Sequence, residues 1–235
     1  MNDDTAATPP NSHDRSAARV LADNVQKSAQ AAGDPLAWFD ELYLAANGDP
    51  ALVPWAKLEP HPVLTEWIGR SGHLHEGSAI DVGCGLGDNA EYLDEAGYDV
   101  TAFDLSQTAI DWARRRHPAT AVSYHQADLF NLPSIWRGAF TLVHECYTIQ
   151  ALDAEIRRTA MAHIAALVAP GGTLLVICRS RAEDETAEGP PWPLARSELE
   201  PFVAAGLEQT GFEHLTVTQD RPIPHFRATY RRAVT

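Results

Sequence analysis

Apolar positions recur at helical spacing in the first third of the chain and at strand spacing beyond it. Residues 16–32 are alanine-rich with a thin apolar face of Val20, Leu21 and Val25, ended by Gly33-Asp34-Pro35. From Pro35 to Ala46, Leu36, Phe39, Leu42 and Tyr43 fall on one side of a helix with proline in its first turn. Asn47-Gly48-Asp49-Pro50 breaks that helix. Val53-Pro54-Trp55 reads as a rigid extended element, because the residue before proline is pushed out of helical conformation. Val63 to Ile68 opens another helix, carrying Leu64, Trp67 and Ile68. The residues up to about Arg15 are polar and read as a disordered lead-in.

From Ser78 the period alternates. Short apolar runs predict strands at 78–82, 99–103, 121–125, 139–144 and 172–178, and helical spacing predicts helices at 87–96, 106–116, 154–168 and 196–205. Such alternation places the strands in a parallel sheet with helices on both faces and right-handed crossovers. Phe212–Asp220 and His225–Arg232 also read as strands, but only Arg221-Pro222-Ile223-Pro224 separates them. That is too short for a crossover helix, so the two must pair antiparallel. The expected fold is α/β: a Rossmann-like, doubly wound, mainly parallel seven-stranded sheet ending in an antiparallel hairpin. Three segments are expected: a disordered or partly helical lead-in at 1–33, a helical segment at 34–77, and the sheet domain at 78–235. No internal repeat is apparent.

A net charge of −14 and a pI near 5.0 disfavour nucleic acid and anionic membrane as partners. Three cysteines at 84, 146 and 178 lack C-x-x-C spacing, which argues against a disulfide framework and a structural zinc site. No H-x-x-x-H pair occurs among the ten histidines, and no metal is expected. No apolar run approaches the ~20 residues of a membrane span and no signal-peptide core is visible, so the expectation is a reduced, cytoplasmic protein.

The densest chemistry lies in Ala79-Ile80-Asp81-Val82-Gly83-Cys84-Gly85-Leu86-Gly87-Asp88. An apolar run enters a turn with three alternating glycines and leaves as a helix, a unit that lets a ligand approach the backbone closely. Three acids follow successive strands. Asp104 stands about 20 residues past the turn, where a carboxylate can hold two ribose hydroxyls. Asp128, with Leu129 beside it, can accept from an exocyclic adenine amine while the leucine packs on the ring. Glu145 follows the fourth strand. Singly, each acid is as readily a helix cap or a solvated group. Together, beside a glycine turn, they point to a bound nucleoside. A dinucleotide remains a rival, since Gly85-Leu86-Gly87-Asp88-Asn89-Ala90 fits G-x-G-x-x-A. Against it, Asp88 puts negative charge where pyrophosphate would sit, and the terminal hairpin departs from two mirrored βαβαβ halves.

Asp81 to Gly87, Asp104, Ala127-Asp128-Leu129 and Leu167-Val168-Ala169-Pro170-Gly171-Gly172-Thr173-Leu174 together resemble the class I S-adenosylmethionine-dependent methyltransferases over about residues 78–235. Finer features resemble the thiopurine, thiol and halide branch. These are Val53-Pro54-Trp55 with Pro62-Val63-Leu64, the run from Glu145 to Leu152, and Gly189-Pro190-Pro191-Trp192-Pro193-Leu194. Glu145 stands where that branch more usually has Asp.

The resemblance implies S-adenosylmethionine as cofactor and segment 34–77 as a helical lid over it. Asp81, Gly83, Gly85 and Gly87 would serve its methionine part, Asp104 and Leu105 the ribose, and Asp128 and Leu129 the adenine. Glu145 would sit near the amino-acid moiety or the substrate mouth. Trp55, Phe39 and Tyr43 would close over the sulfonium, a cation that aromatic faces attract; plain core packing is the alternative for all three. Tyr147 and Glu145 are the catalytic candidates, with Tyr147 orienting or deprotonating the acceptor, and an ordinary buried tyrosine the bland reading. Trp192 would wall the acceptor pocket, and Arg179 would attract an anionic acceptor unless merely solvated. His144 and His225 lie near strand ends, where a lone histidine is more often structural. The acceptor would be a small molecule and the protein a monomer or homodimer. A thiol is the first acceptor, because a few per cent is already thiolate at neutral pH and needs little base. An oxygen, nitrogen or carbon acceptor would need a base from Tyr147, Glu145 or His144. An NAD-dependent oxidoreductase and a non-enzymatic cofactor sensor stand further off.

Overall fold

The structure, a computed structural model, describes residues 12–34, 36–70, 76–187, 189–218 and 221–234. Helices α1 (Ser12–Ala32), α2 (Trp38–Ala46) and α3 (Pro62–Arg70) precede the sheet. The alternating part runs β1 (Ser78–Val82), α4 (Asp88–Glu95), β2 (Asp99–Asp104), α5 (Gln107–Arg116), β3 (Ser123–Gln126), β4 (Phe140–Cys146), α6 (Ala154–Leu167) and β5 (Val168–Arg179). It closes with α7 (Glu200–Ala204), β6 (Leu207–Thr218) and β7 (Pro222–Arg232). Residues 1–11, part of the expected disordered lead-in, and Pro35 lie outside the described residues; 12–15 belong to α1.

The seven strands lie in the order β3-β2-β1-β4-β5-β7-β6. The first five are parallel, and β7 is antiparallel to both β5 and β6. The sheet is therefore the expected one, with the hairpin's second strand inserted inside its first. Alternation along each strand builds two buried layers. Ile80, Val143, Leu174 and Val176 pack toward α6 and Phe202. Ala79, Leu142, Leu175 and Ile177 pack toward α3, α4 and α5. Among the described residues no helix is long and apolar enough to cross a membrane.

Several boundaries differ from the expected ones for local reasons. β3 spans 123–126 rather than 121–125, and β5 begins at Val168 rather than 172, with a register shift opposite Phe140–Leu142. β6 starts at Leu207, five residues before Phe212. Its polar Glu208 and Gln209 pair with Arg231 and Tyr230, and a second shift sits between Gln209 and Gly211. Edge position allows polar strand residues that periodicity alone reads as loop. Residues 196–199 form a 3-10 turn before α7, which takes Pro201 in its first turn. Val53 is extended (φ −102°, ψ 108°) as a residue before proline should be, but the element after it is not: Ala56 N donates to Val53 O at 3.0 Å. Pro54 takes a position in a tight turn that suits its fixed φ, and this turn aims Trp55 at the sheet's carboxyl edge.

Arg227 of β7 is 1% exposed. Its Nη2 and Nε donate to Glu213 Oε1 of β6 at 2.5 and 3.1 Å, and Nη1 donates to Val63 O of α3 at 3.3 Å. One cation thus ties the hairpin to the helix in front of it.

Candidate active site

The carboxyl ends of β1, β2, β4 and β5 open onto one cavity of about 730 Å³, roofed by α1, α2 and the 53–56 turn. Its floor is the glycine turn. Gly83, Gly85 and Gly87 have φ of 64°, 54° and 89°. A Cβ on Gly83 would strike Thr148 Oγ1 and one on Gly87 would strike Tyr124 Oη, so backbone conformation and space both demand glycine there. Above Gly85 the nearest atoms are Tyr43 Oη and the Trp55 ring, at 3.0 and 3.9 Å from the position of a Cβ.

The roof is a stack of aromatics. Trp55 Nε1 donates to Tyr43 Oη at 2.7 Å, and its ring meets Tyr43 and Trp38 edge-on with centroids 5.9 and 5.7 Å away. Phe39, Tyr43 and Trp55 all line the cavity. Trp38, which periodicity does not single out, is buried among them and lines the cavity too. Asp40 fastens this roof to the sheet: its Oδ1 accepts from Ser106 Oγ at 2.6 Å and from Thr108 N at 3.1 Å, at the start of α5.

Asp104 ends β2. Its two oxygens accept from Gly85 N (3.0 Å) and Ser106 N (2.9 Å), so it stitches the glycine turn to the next strand while lining the cavity with Leu105. Burial pushes its carboxyl up to about 6, against the lowering effect of those two backbone donors, with Asp81 and Asp40 adding to the rise. Asp128 accepts from Phe130 N at 2.9 Å and lines the cavity with Leu129.

Asp81 and Glu145 stand behind the wall. Asp81 Oδ1 lies 2.6 Å from His144 Nδ1, a buried pair across β1 and β4. That pairing also places His144 away from the cavity. Glu145 is fully buried; its Oε1 accepts from Ile149 N at 3.0 Å, and Oε2 has no partner among the described residues. Burial raises its carboxyl to about 8, offset by bonds from the Ile149 and Thr148 backbone and reinforced by Asp81. Such a folded-state shift stabilises at low pH and is lost as pH rises from the ordinary 4.5 to about 8, because the unfolded chain then ionises more readily. Glu145→Gln, neutral throughout, is expected to gain about 3.5 kcal/mol relative to the parent between pH 5 and pH 8, measured by urea unfolding at both.

The far end of the cavity is lined by Tyr147, Arg179, His61, Pro190, Pro191 and Ile223. Tyr147 has φ 72°, a left-handed backbone that a bulky residue rarely adopts outside functional sites. Its hydroxyl lies 2.9 Å from His61 Nε2 and 2.5 Å from His225 Nε2. The Arg179 guanidinium lies 5.7 Å from the Tyr147 ring centre, and Arg179 N donates to Gln150 Oε1 at 2.7 Å. Burial, then the neighbouring His225, His144 and Arg179, pushes the His61 imidazole down to about 3; burial also lowers His225. Both rings are therefore neutral at pH 7.

Trp192 departs from expectation. Its N donates to Gln150 O at 2.8 Å, and its ring faces a separate cavity of about 250 Å³ with Arg157, Arg181 and Glu198. The bond to Gln150 fixes this strand-like segment, and in that register Pro190 and Pro191 face the large cavity instead. Among the described residues no cluster of three or more His, Cys, Asp or Glu could hold a metal ion; His73 and His75, an H-x-H pair, lie outside them.

This fold and cradle define a class: an open α/β sheet, 3-2-1-4-5-7-6, with a cavity over the glycine turn at its carboxyl edge. Two mirrored dinucleotide halves would lack the inserted hairpin strand. Residues 79–172 match a family described as a methyltransferase domain. That domain, with the relatives below, supports a class I S-adenosylmethionine-dependent methyltransferase. It is similar to 2-heptyl-1-hydroxyquinolin-4(1H)-one methyltransferase of Mycobacteroides abscessus, at 27% identity over 66% of this chain and 68% of that one. It is 26% identical to probable thiol methyltransferase 2 of Arabidopsis thaliana, over 72% of each. In structure it is similar to 1,6-didemethyltoxoflavin-N1-methyltransferase of Burkholderia thailandensis, with a TM-score of 0.61 and 18% identity, covering 99% of this chain and 98% of that one.

Proposed function

We propose that this methyltransferase acts on a sulfur or oxygen nucleophile of a small, largely apolar molecule. One observation carries the reading. A single cavity runs from the glycine turn, Asp104 and Asp128 to Tyr147 and Arg179, between apolar walls and under an aromatic roof. It has room for a cofactor and a small acceptor end to end.

S-adenosylmethionine supplies an electrophilic methyl carbon on a sulfonium sulfur. The residues fit it. Asp104 keeps free lone pairs toward the cavity and would accept from the ribose hydroxyls, and Asp128 with Leu129 would take the adenine. Tyr43, Phe39 and Trp55 would offer ring faces to the sulfonium, and the roof would exclude water from an in-line displacement. Arg179 and Tyr147 would orient the acceptor. Neither a nucleic acid nor a membrane surface is part of this reading, which suits a cytoplasmic monomer or homodimer.

Two relatives support the two nucleophiles. The Arabidopsis protein is named for thiols, and the Mycobacteroides protein for a hydroxylated compound with an alkyl tail. A panel of small thiols, aromatic thiols, phenols, heteroaromatic hydroxyls, amines and carboxylates, read by S-adenosylhomocysteine release, is the test. Turnover confined to amines or carboxylates would refute the reading. Trp55→Ala is expected to lower turnover of every accepted substrate alike, by about tenfold, because its ring is assigned to the cofactor. A loss confined to one acceptor would reassign Trp55 to the acceptor.

A further inference from the structure

We propose that His61, Tyr147 and His225 form a one-way proton relay at the acceptor end of the cavity, and that the acceptor this enzyme is built for carries an acidic hydroxyl group rather than a thiol. The proposal rests on the reading that the cavity takes S-adenosylmethionine and a small acceptor.

Backbone groups set the direction. His225 Nδ1 lies 2.8 Å from Ile223 O. A carbonyl can only accept, so Nδ1 carries the hydrogen and Nε2 is a bare lone pair. Tyr147 Oη, 2.5 Å away, must therefore donate to it. At the other side Val63 N donates to His61 Nδ1 at 3.3 Å, so that ring carries its hydrogen on Nε2 and donates to Tyr147 Oη at 2.9 Å. The chain reads His61 Nε2–H to Tyr147 Oη–H to His225 Nε2, with its end tied to the main chain. Each histidine is held in one tautomer by a backbone contact independent of Tyr147.

The relay faces the right way. Tyr147 and His61 line the cavity, whereas His225 sits behind, on β7 opposite Arg179 of β5. An acceptor hydroxyl beside Tyr147 would pass its proton to Oη as the original Oη proton moves to His225 Nε2. The acceptor O–H bond breaks, a tyrosine O–H bond is remade, and an imidazolium forms whose Nδ1–H still donates to Ile223 O. The acceptor oxygen takes the methyl carbon as the carbon's bond to sulfur breaks, leaving a neutral thioether. Once the methylated product leaves, the proton returns from His225 Nε2 through Tyr147 Oη to water in the open cavity. His61 donates into Tyr147 Oη throughout; burial raises the Tyr147 phenol above its ordinary value and the Arg179 guanidinium offsets this only in part, so the two proton transfers are concerted. A thiol needs none of this. Two buried imidazoles bonded to a half-buried tyrosine at φ 72° are a costly arrangement unless a less acidic proton must be removed. Tyr147 is the group that touches the acceptor; His225 is a positioning residue and proton store behind it.

The test uses the full chain saturated with S-adenosylhomocysteine, and 4-nitrophenol, whose anion is yellow and whose neutral form is not. At a pH where the free probe is mostly neutral, the bound probe is expected to be mostly anionic. Tyr147→Phe should return it to the neutral form, and His225→Gln should do so in large part, while S-adenosylhomocysteine affinity in both stays within about threefold of the parent as the control for folding. With S-adenosylmethionine and a phenolic acceptor, Tyr147→Phe should lower kcat about 100-fold with KM little changed. A probe that stays neutral in the parent, or that is equally anionic in Tyr147→Phe, overturns the relay. Failure of any phenol to bind, or turnover of thiols alone, overturns the hydroxyl assignment. Absence of turnover on every acceptor would sink the small-molecule reading instead, and the probe's colour would still decide the relay.

Discussion

Asp104→Ala is expected to weaken S-adenosylmethionine binding about 1,000-fold, measured by calorimetric titration with the cofactor or its demethylated product. Two contributions add. A carboxylate that accepts from both ribose hydroxyls makes two charge-assisted bonds, worth about 2 kcal/mol each, and together near three orders of magnitude in affinity. The side chain also holds Gly85 N and Ser106 N, so its loss frees the middle of the glycine turn from β2. Asp104→Asn is the milder variant. Its amide oxygen keeps one of the two backbone bonds while its NH2 opposes the other backbone donor, so it should hold the turn in part and still lose about tenfold or more. Unchanged affinity in both variants would remove Asp104 from the cofactor. Because the carboxyl is raised to about 6, its ionised form, the better acceptor, is lost below that pH, and affinity for the cofactor should fall as pH drops through 6.

Glu213→Ala is expected to lower the free energy of unfolding by about 3 kcal/mol and Tm by about 10 °C, measured by urea and thermal unfolding. The reason lies in its partner. The Arg227 guanidinium is almost wholly inside the protein, and Glu213 takes two of its bonds; Val63 O and the more distant Glu66 remain. Removing the anion leaves a cation desolvated and half-partnered, which costs more than the pair contributes when intact. Replacing both, as Glu213→Leu with Arg227→Leu, should recover most of the loss. Equal losses in single and double variants would mean that packing, not charge, holds the hairpin. The arm Tyr147–His225 depends on the same strand, so Glu213→Ala should also reduce turnover at temperatures near its lowered Tm.

Local pattern made most of the sheet legible. Strands β1, β2, β4 and the core of β5 announce themselves as short apolar runs between turn residues, and the four residues expected between the last two strands allow only an antiparallel return. The glycine turn is equally local, since the need for glycine at 83 and 87 comes from φ values set by a single strand-to-helix turn. The acids after the strands were visible as a set. Their fates were not: Asp104 and Asp128 face the cavity, whereas Glu145 lies inside β4 and turns inward to hold Ile149 N. β4 runs on to Cys146, past the apolar run that marks it, so strand alternation sends Glu145 to the buried face of Val143. Val53-Pro54-Trp55 shows the same limit, with a correct preference at Val53 and a turn after it.

The sequence by itself determined the class of fold, the glycine turn and the class of cofactor, because strand period, turn chemistry and motif are each written in short stretches of the chain. The grouping of Tyr147 with His61 and His225 was decided only by the tertiary structure. Its members are 86 and 78 residues apart, and no local propensity marks either histidine. His61 reaches the site as the residue before α3, and His225 because β7 inserts beside β5 in the register that sets it opposite Arg179. A backbone carbonyl and a backbone N–H then choose each ring's tautomer. Such non-local geometry follows from how whole elements pack, which is why Trp192, on the loop expected to wall the acceptor, faces another cavity while His61, which no pattern marks, and His225, which reads as structural, meet at the acceptor's end.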